Sequence, residues 1–208
     1  IAAQTTAGLA FSLCGYLVAR AGFLSINAAA AWISWLLFLG LRLVDGDNPR
    51  KAWISLGFVL GLQLLAGHAQ TTAYTLILLV IWVGMWIIFD SSSLTGQKRL
   101  RIAASNLWNL LKAGMMGLGL AAVQLIPTAE YLLQSQRASS VDYEFAVNYS
   151  FWPWRFITLL APDFFGNPAH GDYWGYANYW EDAVYIGVLP LVLAFYAILG
   201  RKTATRSR

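Results

Sequence analysis

The chain has 208 residues, of which 58% are hydrophobic and only 12% charged, and its mean hydropathy is positive. A soluble domain of this composition would lack the polar residues that cover its surface, so the composition indicates a membrane protein. The net charge of +4 does not indicate a nucleic-acid-binding protein, because the basic residues are scattered between apolar segments. Cys14 is the only cysteine, which excludes an internal disulfide.

A helix that crosses the hydrocarbon core of a bilayer needs about 20 apolar residues. Six stretches approach this length: residues 6–22, 27–44, 53–68, 71–89, 105–126 and 182–200. The first is the weakest, because small polar residues and Arg20 interrupt it. The segment Gly67-His68-Ala69-Gln70 divides a run that is too long for one helix, which predicts a hairpin. We therefore predict an all-α fold, a polytopic transmembrane bundle of about six helices.

The ends of the sequence lead us to expect a fragment of a longer polypeptide. The chain begins with Ile1, and no basic segment followed by a cleavage site marks a signal peptide. Residues 1–200 are expected to form one membrane helix bundle, which includes an outer loop at 128–181. Residues 201–208 are expected to form a basic cytoplasmic tail.

The placement of lysine and arginine predicts the orientation, because these residues favour the cytoplasmic ends of helices. If the first helix runs outward, ten of the 14 basic residues lie on the inner side: Arg42, Arg50, Lys51, Lys98, Arg99, Arg101, Arg201, Lys202, Arg206 and Arg208. Three lie on the outer side and Lys112 lies within a helix, from which its flexible stem could reach the headgroups. This pattern predicts a cell-membrane protein with both termini of the chain in the cytoplasm.

The long connection that begins at about residue 128 is then outside the cell. It carries seven acidic residues against two basic ones, and 15 of the 31 aromatic residues lie between Tyr143 and Tyr185. The segment 152–162 is apolar but too short to span, and the prolines near its two ends predict a short interfacial helix over 152–160. The aromatic residues are typical of an interface belt, and they could also provide a platform on which sugar rings stack.

Polar residues at the predicted outer helix ends are the candidates for a binding site. His68 and Gln70 could cap a turn or contact a ligand. Gln124 and Glu130 lie on one helix and could face one cavity if the helix continues past Pro127; alternatively, Pro127 ends the helix and Glu130 is solvated. Arg20 could anchor its helix among headgroups or hold the phosphate of a lipid.

Several strings also resemble one bacterial family of membrane proteins, the YfhO-like family. They are Gly8 to Arg20, Gly67 to Gln70, Gln124 to Glu130, Pro162-Asp163-Phe164-Phe165-Gly166, and Asn178 to Glu181 with Tyr185-Ile186-Gly187. The match spans most of the chain, although Ala69 stands where relatives often have proline.

This resemblance implies a GT-C-type glycosyltransferase, which takes a sugar from a polyprenyl-phosphate carrier and attaches it to an extracytoplasmic acceptor. It adds Asp163, Asn178 and Glu181 to the candidate substrate-binding residues, beside Arg20, His68, Gln70, Gln124 and Glu130. The catalytic residue stays unassigned, because the family's acidic loop is expected to precede this chain. No metal ligand set is identified, although the architecture allows a divalent metal. Membrane lipid and the polyprenyl-phosphate donor are the expected partners, and nucleic acid is not.

Two other classes of function remain open at this stage. A transporter or flippase for a lipid or an amphipathic solute would favour broken helices and polar groups near the middle of the membrane. A non-catalytic subunit of a membrane assembly is the third reading.

Overall fold

The computed structural model describes residues 2–46, 48–90, 96–135, 143, 147, 150–176 and 178–199. All regular elements of these residues are helices. In chain order they are α1 (Ala2–Ser12), α2 (Gly15–Ala19), α3 (Leu24–Ala31), α4 (Ile33–Asp45), α5 (Pro49–Leu65), α6 (Ala69–Asp90), α7 (Gly96–Gln134), a 3-10 helix (Pro153–Leu159), α8 (Tyr179–Asp182) and α9 (Val188–Leu199). The predicted all-α fold is confirmed for the described residues.

The chain divides into two compact units. The first combines Ile1–Gly22 with Val141–Arg208, and the second is Phe23–Ser140. In the first unit α1 packs on α9 and α2 packs on α8. In the second unit α5 packs mainly on α7, and α4 packs on both α5 and α6. The predicted basic tail at 201–208 lies outside the described residues.

Four helical segments of the described residues are long and apolar enough to cross a membrane: Ala2–Ala19, Leu24–Asp45, Ala69–Ile88 and Gly96–Gln134. The first contains both α1 and α2, and the second contains both α3 and α4. By contrast, α5 has 17 residues and the described part of α9 has 12, which correspond to about 25 Å and 18 Å of helix. By length and composition, these four segments suit a membrane protein, and the count of six crossings stays a prediction.

Local sequence signals set the helix ends of the second unit. Gly46 follows α4 with a φ of 78°, a left-handed conformation that glycine adopts without strain. Asn48 then caps α5 by accepting a hydrogen bond from the Lys51 N–H at 3.1 Å, and Pro49 occupies the first helical position. The next turn contains Gly67, also at a φ of 78°, and joins α5 to α6 as the predicted hairpin.

Glycine and alanine bring α5 and α7 into backbone contact. A Cβ atom on Gly57 would lie 2.8 Å from the carbonyl oxygen of Ala113, and one on Gly117 would lie 2.9 Å from Leu60 Cγ and 3.2 Å from the Gly57 oxygen. A Cβ on Gly61 would lie 3.0 Å from Leu120 Cβ. These small residues recur at four-residue intervals, the pattern by which membrane helices approach closely.

Helix α7 continues past Pro127 to Gln134. The reading in which Pro127 ends the helix is therefore wrong, and the first residues of the predicted outer loop at 128–181 are helical. Proline removes the backbone donor that would bond to the Val123 carbonyl. In the same turn the Thr128 hydroxyl donates to the Gln124 carbonyl at 2.7 Å. The connection to the first unit accordingly begins after Gln134.

Replacement of Gly117 by leucine tests the close contact between α5 and α7. We expect Gly117→Leu to destabilise the protein by about 1–3 kcal/mol, because the side chain would overlap Leu60. The matched control is Gly119→Leu on the same helix, where a Cβ meets nothing within 4 Å; it should be neutral or slightly stabilising. Thermal unfolding in detergent, followed by tryptophan fluorescence, compares the two. Equal unfolding temperatures for the two variants would contradict the packing.

Candidate functional site

The short helix α8 carries two adjacent carboxylates in the first unit. Asn178 caps this helix, since its side-chain oxygen accepts the Glu181 N–H at 3.1 Å. Successive residues of a helix point about 100° apart, so Glu181 and Asp182 leave the backbone in different directions. Each finds a different arginine: Glu181 pairs with Arg20 and Asp182 with Arg155.

The pair formed by Arg155 and Asp182 is buried. Arg155 Nε lies 2.7 Å from Asp182 Oδ1, and the two side chains are 1% and 3% exposed. Arg155 Nη2 also donates to the Tyr176 carbonyl oxygen at 2.6 Å. Tyr173 donates its hydroxyl proton to Asp182 Oδ2 at 2.8 Å, so one carboxylate oxygen is hydrogen-bonded and the other is ion-paired. Among the described residues, Arg155 Nη1 is buried without a hydrogen-bond partner. Burial of a charge is costly unless it is paired and hydrogen-bonded, and this arrangement meets that condition for Asp182.

The 3-10 helix determines which residues of the segment 152–160 turn inward. Pro153 occupies the start of the helix. Residues three apart share one face of a 3-10 helix, and Arg155 and Thr158 are the two buried residues. Thr158 Oγ1 lies 2.6 Å from the Asp182 carbonyl oxygen and 2.7 Å from that of Arg155. A short helix is thus present where the sequence predicted one, and it anchors the loop through its polar face.

Tyr173 fits beside Asp182 because residue 175 is glycine. A Cβ on Gly175 would lie 2.5 Å from the Tyr173 hydroxyl oxygen and 2.8 Å from Asp182 Oδ2. Burial, followed by the hydrogen bond to Asp182, raises the pKa of Tyr173 well above its ordinary value. The phenol therefore stays protonated, and the stability of this bond is lost only as the pH rises through that raised folded-state pKa.

The pair formed by Arg20 and Glu181 reaches solvent on one side. Arg20 Nη2 lies 3.3 Å from Glu181 Oε2, and the Arg20 side chain is 8% exposed whereas that of Glu181 is 38% exposed. The Arg20 guanidinium also stands 4.1 Å from the centroid of the Tyr16 ring, a cation–π geometry. Close by in sequence, the Gly15 N–H donates to the Tyr185 carbonyl oxygen at 2.6 Å and fixes α2 against the loop. Arg20 is therefore held in place before any ligand binds.

Asp163 is tied to the same part of the loop through Tyr179. The Tyr179 hydroxyl donates to Asp163 Oδ1 at 3.1 Å, and the Asn167 side-chain amide donates to the same oxygen at 3.2 Å. Burial and the Asp163 carboxylate raise the pKa of Tyr179 above its ordinary value. Four of the eight candidate residues, namely Arg20, Asp163, Asn178 and Glu181, thus belong to one connected region.

Aromatic rings cover much of the loop surface. The rings of Trp152 and Trp154 stack at 5.1 Å with an interplanar angle of 8°, and both side chains are exposed. Phe164, Phe165 and Trp174 form a second group with centroid distances of 5.1–6.0 Å. Flat exposed tryptophan faces suit both a membrane interface and a sugar ring, and the structure leaves both readings open.

The other four candidates lie in the second unit. His68 Nδ1 accepts the Thr71 N–H at 3.2 Å, so His68 caps the start of α6. Gln70 donates to the Tyr74 hydroxyl at 2.9 Å on an exposed face. Gln124 lies against the turn before α6, since a Cβ on Gly67 would be 2.9 Å from Gln124 Nε2. Glu130 is exposed on the last turns of α7. The structure brings His68 and Gln124 to one turn, and the convergence of all five outer residues on one cavity stays a prediction.

A buried polar contact in the second unit was not anticipated. Gln63 is fully buried on α5 and donates to the Ala29 carbonyl oxygen at 2.9 Å and to Thr75 Oγ1 at 3.0 Å.

Elsewhere in this unit, the Lys112 ammonium stands 5.1 Å from the centroid of the Trp53 ring. Among the described residues, no group of three or more His, Cys, Asp or Glu residues is arranged to hold a metal ion.

Sequence reasoning missed Arg155, Thr158, Tyr173, Gly175 and Asp182. The sequence analysis used Arg155 only as one of the basic residues on the predicted outer side, and of the two adjacent acids it named Glu181 alone as a candidate. One signal could have indicated the ion pair. A lone arginine within an apolar segment needs a counter-charge, and the acidic pair at 181–182 lies in the same connection.

Comparison with protein-family models, with curated proteins and with solved structures yields no match for this chain. The resemblance to the YfhO-like family therefore rests on the sequence strings alone.

Removal of the Asp182 charge tests the buried ion pair. We expect Asp182→Asn to lower the free energy of unfolding by about 3–5 kcal/mol, because Arg155 would remain buried without a counter-charge. The control is Asp172→Asn, at an exposed residue of the same loop, which should cost less than about 1 kcal/mol. Thermal unfolding in detergent gives both values. If the two variants unfold at the same temperature, the ion pair does not stabilise the loop.

Proposed function

We propose that the chain crosses the cell membrane six times, with both termini in the cytoplasm and the aromatic loop outside. The four long apolar segments support a multi-pass protein. Because α5 connects the candidate span Leu24–Asp45 to the candidate span Ala69–Ile88, we infer that α5 crosses the membrane as well. Its length of about 25 Å is close to the hydrocarbon thickness of about 30 Å. The basic residues at the α4–α5 junction and at the start of α7 support the orientation.

Cysteine labelling in intact cells tests this orientation. In a Cys14→Ser background, Ala169→Cys should react with a membrane-impermeant maleimide, because residue 169 lies in the exposed loop. Gln97→Cys, at the exposed start of α7, should react only after lysis. The opposite pattern would reverse the orientation.

We propose further that the chain is part of a membrane glycosyltransferase, which uses a polyprenyl-phosphate-linked sugar and modifies an extracytoplasmic acceptor. The observation that carries this proposal is the pair of the buried Arg20 and the partly exposed Glu181, in the same unit as the stacked Trp152 and Trp154. A guanidinium can bind a lipid phosphate through two parallel hydrogen bonds. Exposed tryptophan faces can stack on a sugar or lie against the lipid of the donor.

The reaction joins the acceptor oxygen to the anomeric carbon while the bond from that carbon to the lipid phosphate breaks. A carboxylate takes the proton of the acceptor hydroxyl, and the phosphate departs with the bonding electron pair. In this proposal Arg20 stabilises the departing phosphate. The catalytic carboxylate is not assigned to a residue of this chain.

One set of observations favours the transporter class instead. The first long apolar segment is interrupted between α1 and α2, and the second is interrupted at Trp32 between α3 and α4. The buried contact of Gln63 with Thr75 lies on α5 and α6. Broken helices and buried polar groups are typical of transporters. We rank this class second, because three of the four candidates with a formal charge, Arg20, Asp163 and Glu181, lie in the connected region around the loop.

Arg20→Lys in the full-length protein distinguishes these functions. If Arg20 binds the donor phosphate, transfer of a labelled sugar from the lipid carrier should fall roughly tenfold or more, which corresponds to one charged hydrogen bond of about 1.5–3 kcal/mol. The abundance and thermal stability of the protein should stay unchanged. Arg50→Lys, the same change at an exposed residue on the predicted inner side, should have no effect.

Wild-type transfer by Arg20→Lys would remove Arg20 from the site. Absence of transfer in the wild-type protein, combined with lipid or solute flux in proteoliposomes, would instead establish the transporter class. Absence of both activities would favour a non-catalytic assembly subunit.

A further inference from the structure

A second candidate site lies in the other unit, between α4 and α5. An open cavity of about 200 Å³ has polar walls formed by Arg42, Asn48, Lys51 and Ser55. Its apolar walls include Phe38 and Leu39. Pockets for drug-sized ligands are typically about 300–1,000 Å³, so this cavity suits a smaller group, such as a phosphate diester.

Two cations at this cavity make it suitable for an anion. Arg42 lies in the last turn of α4 and Lys51 in the first turns of α5, and both side chains are exposed. The Arg42 guanidinium carbon lies 5.8 Å from the centroid of the Phe38 ring, so the charge stands at the apolar wall. A guanidinium has five N–H donors and can therefore bind a ligand while it keeps a contact within the protein.

Acidic residues lie close to the cavity in sequence. Asp45 ends α4, Asp47 follows outside the described residues, and Arg50 adds a further cation. The segment 42–51 therefore has three basic and two acidic residues, a net charge of +1. Arg42 and Lys51 line the cavity itself, whereas Asp45, the acid of this segment that the structure describes, does not.

An apolar recess adjoins this cavity and could hold an apolar part of the ligand, such as an acyl chain. Ser34, Trp35 and Phe38 line a shallow recess of about 330 Å³ on the same face of α4. Phe38 lines both spaces, which are therefore neighbours. A charged cavity next to an exposed aromatic recess matches a phospholipid, with its phosphate at the cations and an acyl chain along the helix. Free phosphate would use only the first of these spaces.

We propose that α4 and α5 bind one anionic phospholipid, whose phosphate contacts Arg42 and Lys51 and whose acyl chain packs on Trp35 and Phe38. The predicted orientation places this site in the cytoplasmic leaflet, where anionic lipids are concentrated and where basic pockets between helices bind their headgroups. The site is independent of sugar transfer, and neither proposal requires the other.

Native mass spectrometry of the full-length protein tests the proposal. The protein in detergent is titrated with phosphatidylglycerol, with phosphatidylcholine of the same chain length and with soluble glycerol phosphate. We expect phosphatidylglycerol to bind at least tenfold more tightly than the other two. Arg42→Gln combined with Lys51→Gln should lower this affinity by roughly tenfold or more, since each cation near an anionic lipid contributes on the order of a fivefold factor.

Two further variants separate the site from general surface charge. Arg50→Gln combined with Arg101→Gln removes two exposed cations that do not line the cavity, and should change the affinity less than threefold. Ser55→Leu fills the cavity while both cations remain. It should weaken phosphatidylglycerol binding, and it decides the question if the double variant does not fold.

Four results would overturn the proposal. The first is an equal loss of affinity in the Arg50/Arg101 control, which would indicate unspecific charge. The second is equal binding of the two lipids. The third is unchanged binding by Ser55→Leu. The fourth is binding of glycerol phosphate as tight as that of phosphatidylglycerol, which would make the ligand a soluble phosphate.

Discussion

A charge that is removed from water must be compensated within the protein. The buried ion pair of Arg155 and Asp182 meets this requirement, and it joins the segments of the loop between Pro153 and Asp182. The Asp182 carboxylate binds Arg155 and Tyr173, and its backbone carbonyl lies within hydrogen-bonding distance of Thr158. Three segments far apart in the loop, the 3-10 helix, the 173–176 turn and α8, therefore meet at one residue. The position of α8 in turn sets Glu181 and, through it, the place of Arg20. The buried pair of Arg155 and Asp182 has no proposed contact with a ligand. It nevertheless helps to position the pair of Arg20 and Glu181, for which such a contact is proposed.

The second unit is held together by a different kind of contact. In a bilayer the lipid tails are as apolar as the helix surfaces, so burial of leucine alone gives little reason for two helices to associate. Close packing supplies that reason at Gly57, Gly61 and Gly117, where the backbones of α5 and α7 approach each other. Because α5 and α7 run in the same direction, the turn at Gly67 that follows α5 lies next to Gln124 on α7. The packing of these small residues therefore places the turn that precedes His68 next to Gln124.

Hydropathy and turn residues predicted the coarse architecture, because membrane thickness imposes a helix length and glycine marks where a long apolar run must break. The hairpin at Gly67 and the short helix after Trp152 were predictable on these grounds. The continuation of α7 beyond Pro127 was not, since it depends on how the neighbouring backbone carbonyls are satisfied. The ion-pair partners of Glu181 and Asp182 could not be predicted from the sequence either. Spacing shows that adjacent acids diverge on a helix, but it does not show which arginine each one meets.

The compensation of Arg20 by Glu181 has a consequence for the proposed donor site. Arg20 is buried and needs a counter-charge, whereas Glu181 is 38% exposed, so in the proposed site a lipid phosphate could replace the Glu181 carboxylate as that counter-charge. The phosphate would meet a guanidinium already oriented by the Tyr16 ring, which reduces the entropy lost on binding. Displacement would also leave the Glu181 carboxylate uncompensated next to the bound donor. In the fully buried pair no such exchange is available, because Asp182 cannot leave Arg155 without exposing an unpaired charge to the protein interior. The two arginine–carboxylate pairs of α8 therefore differ: the pair of Arg155 and Asp182 is closed to solvent and holds the loop together, whereas the pair of Arg20 and Glu181 is the one that the proposed donor site would use.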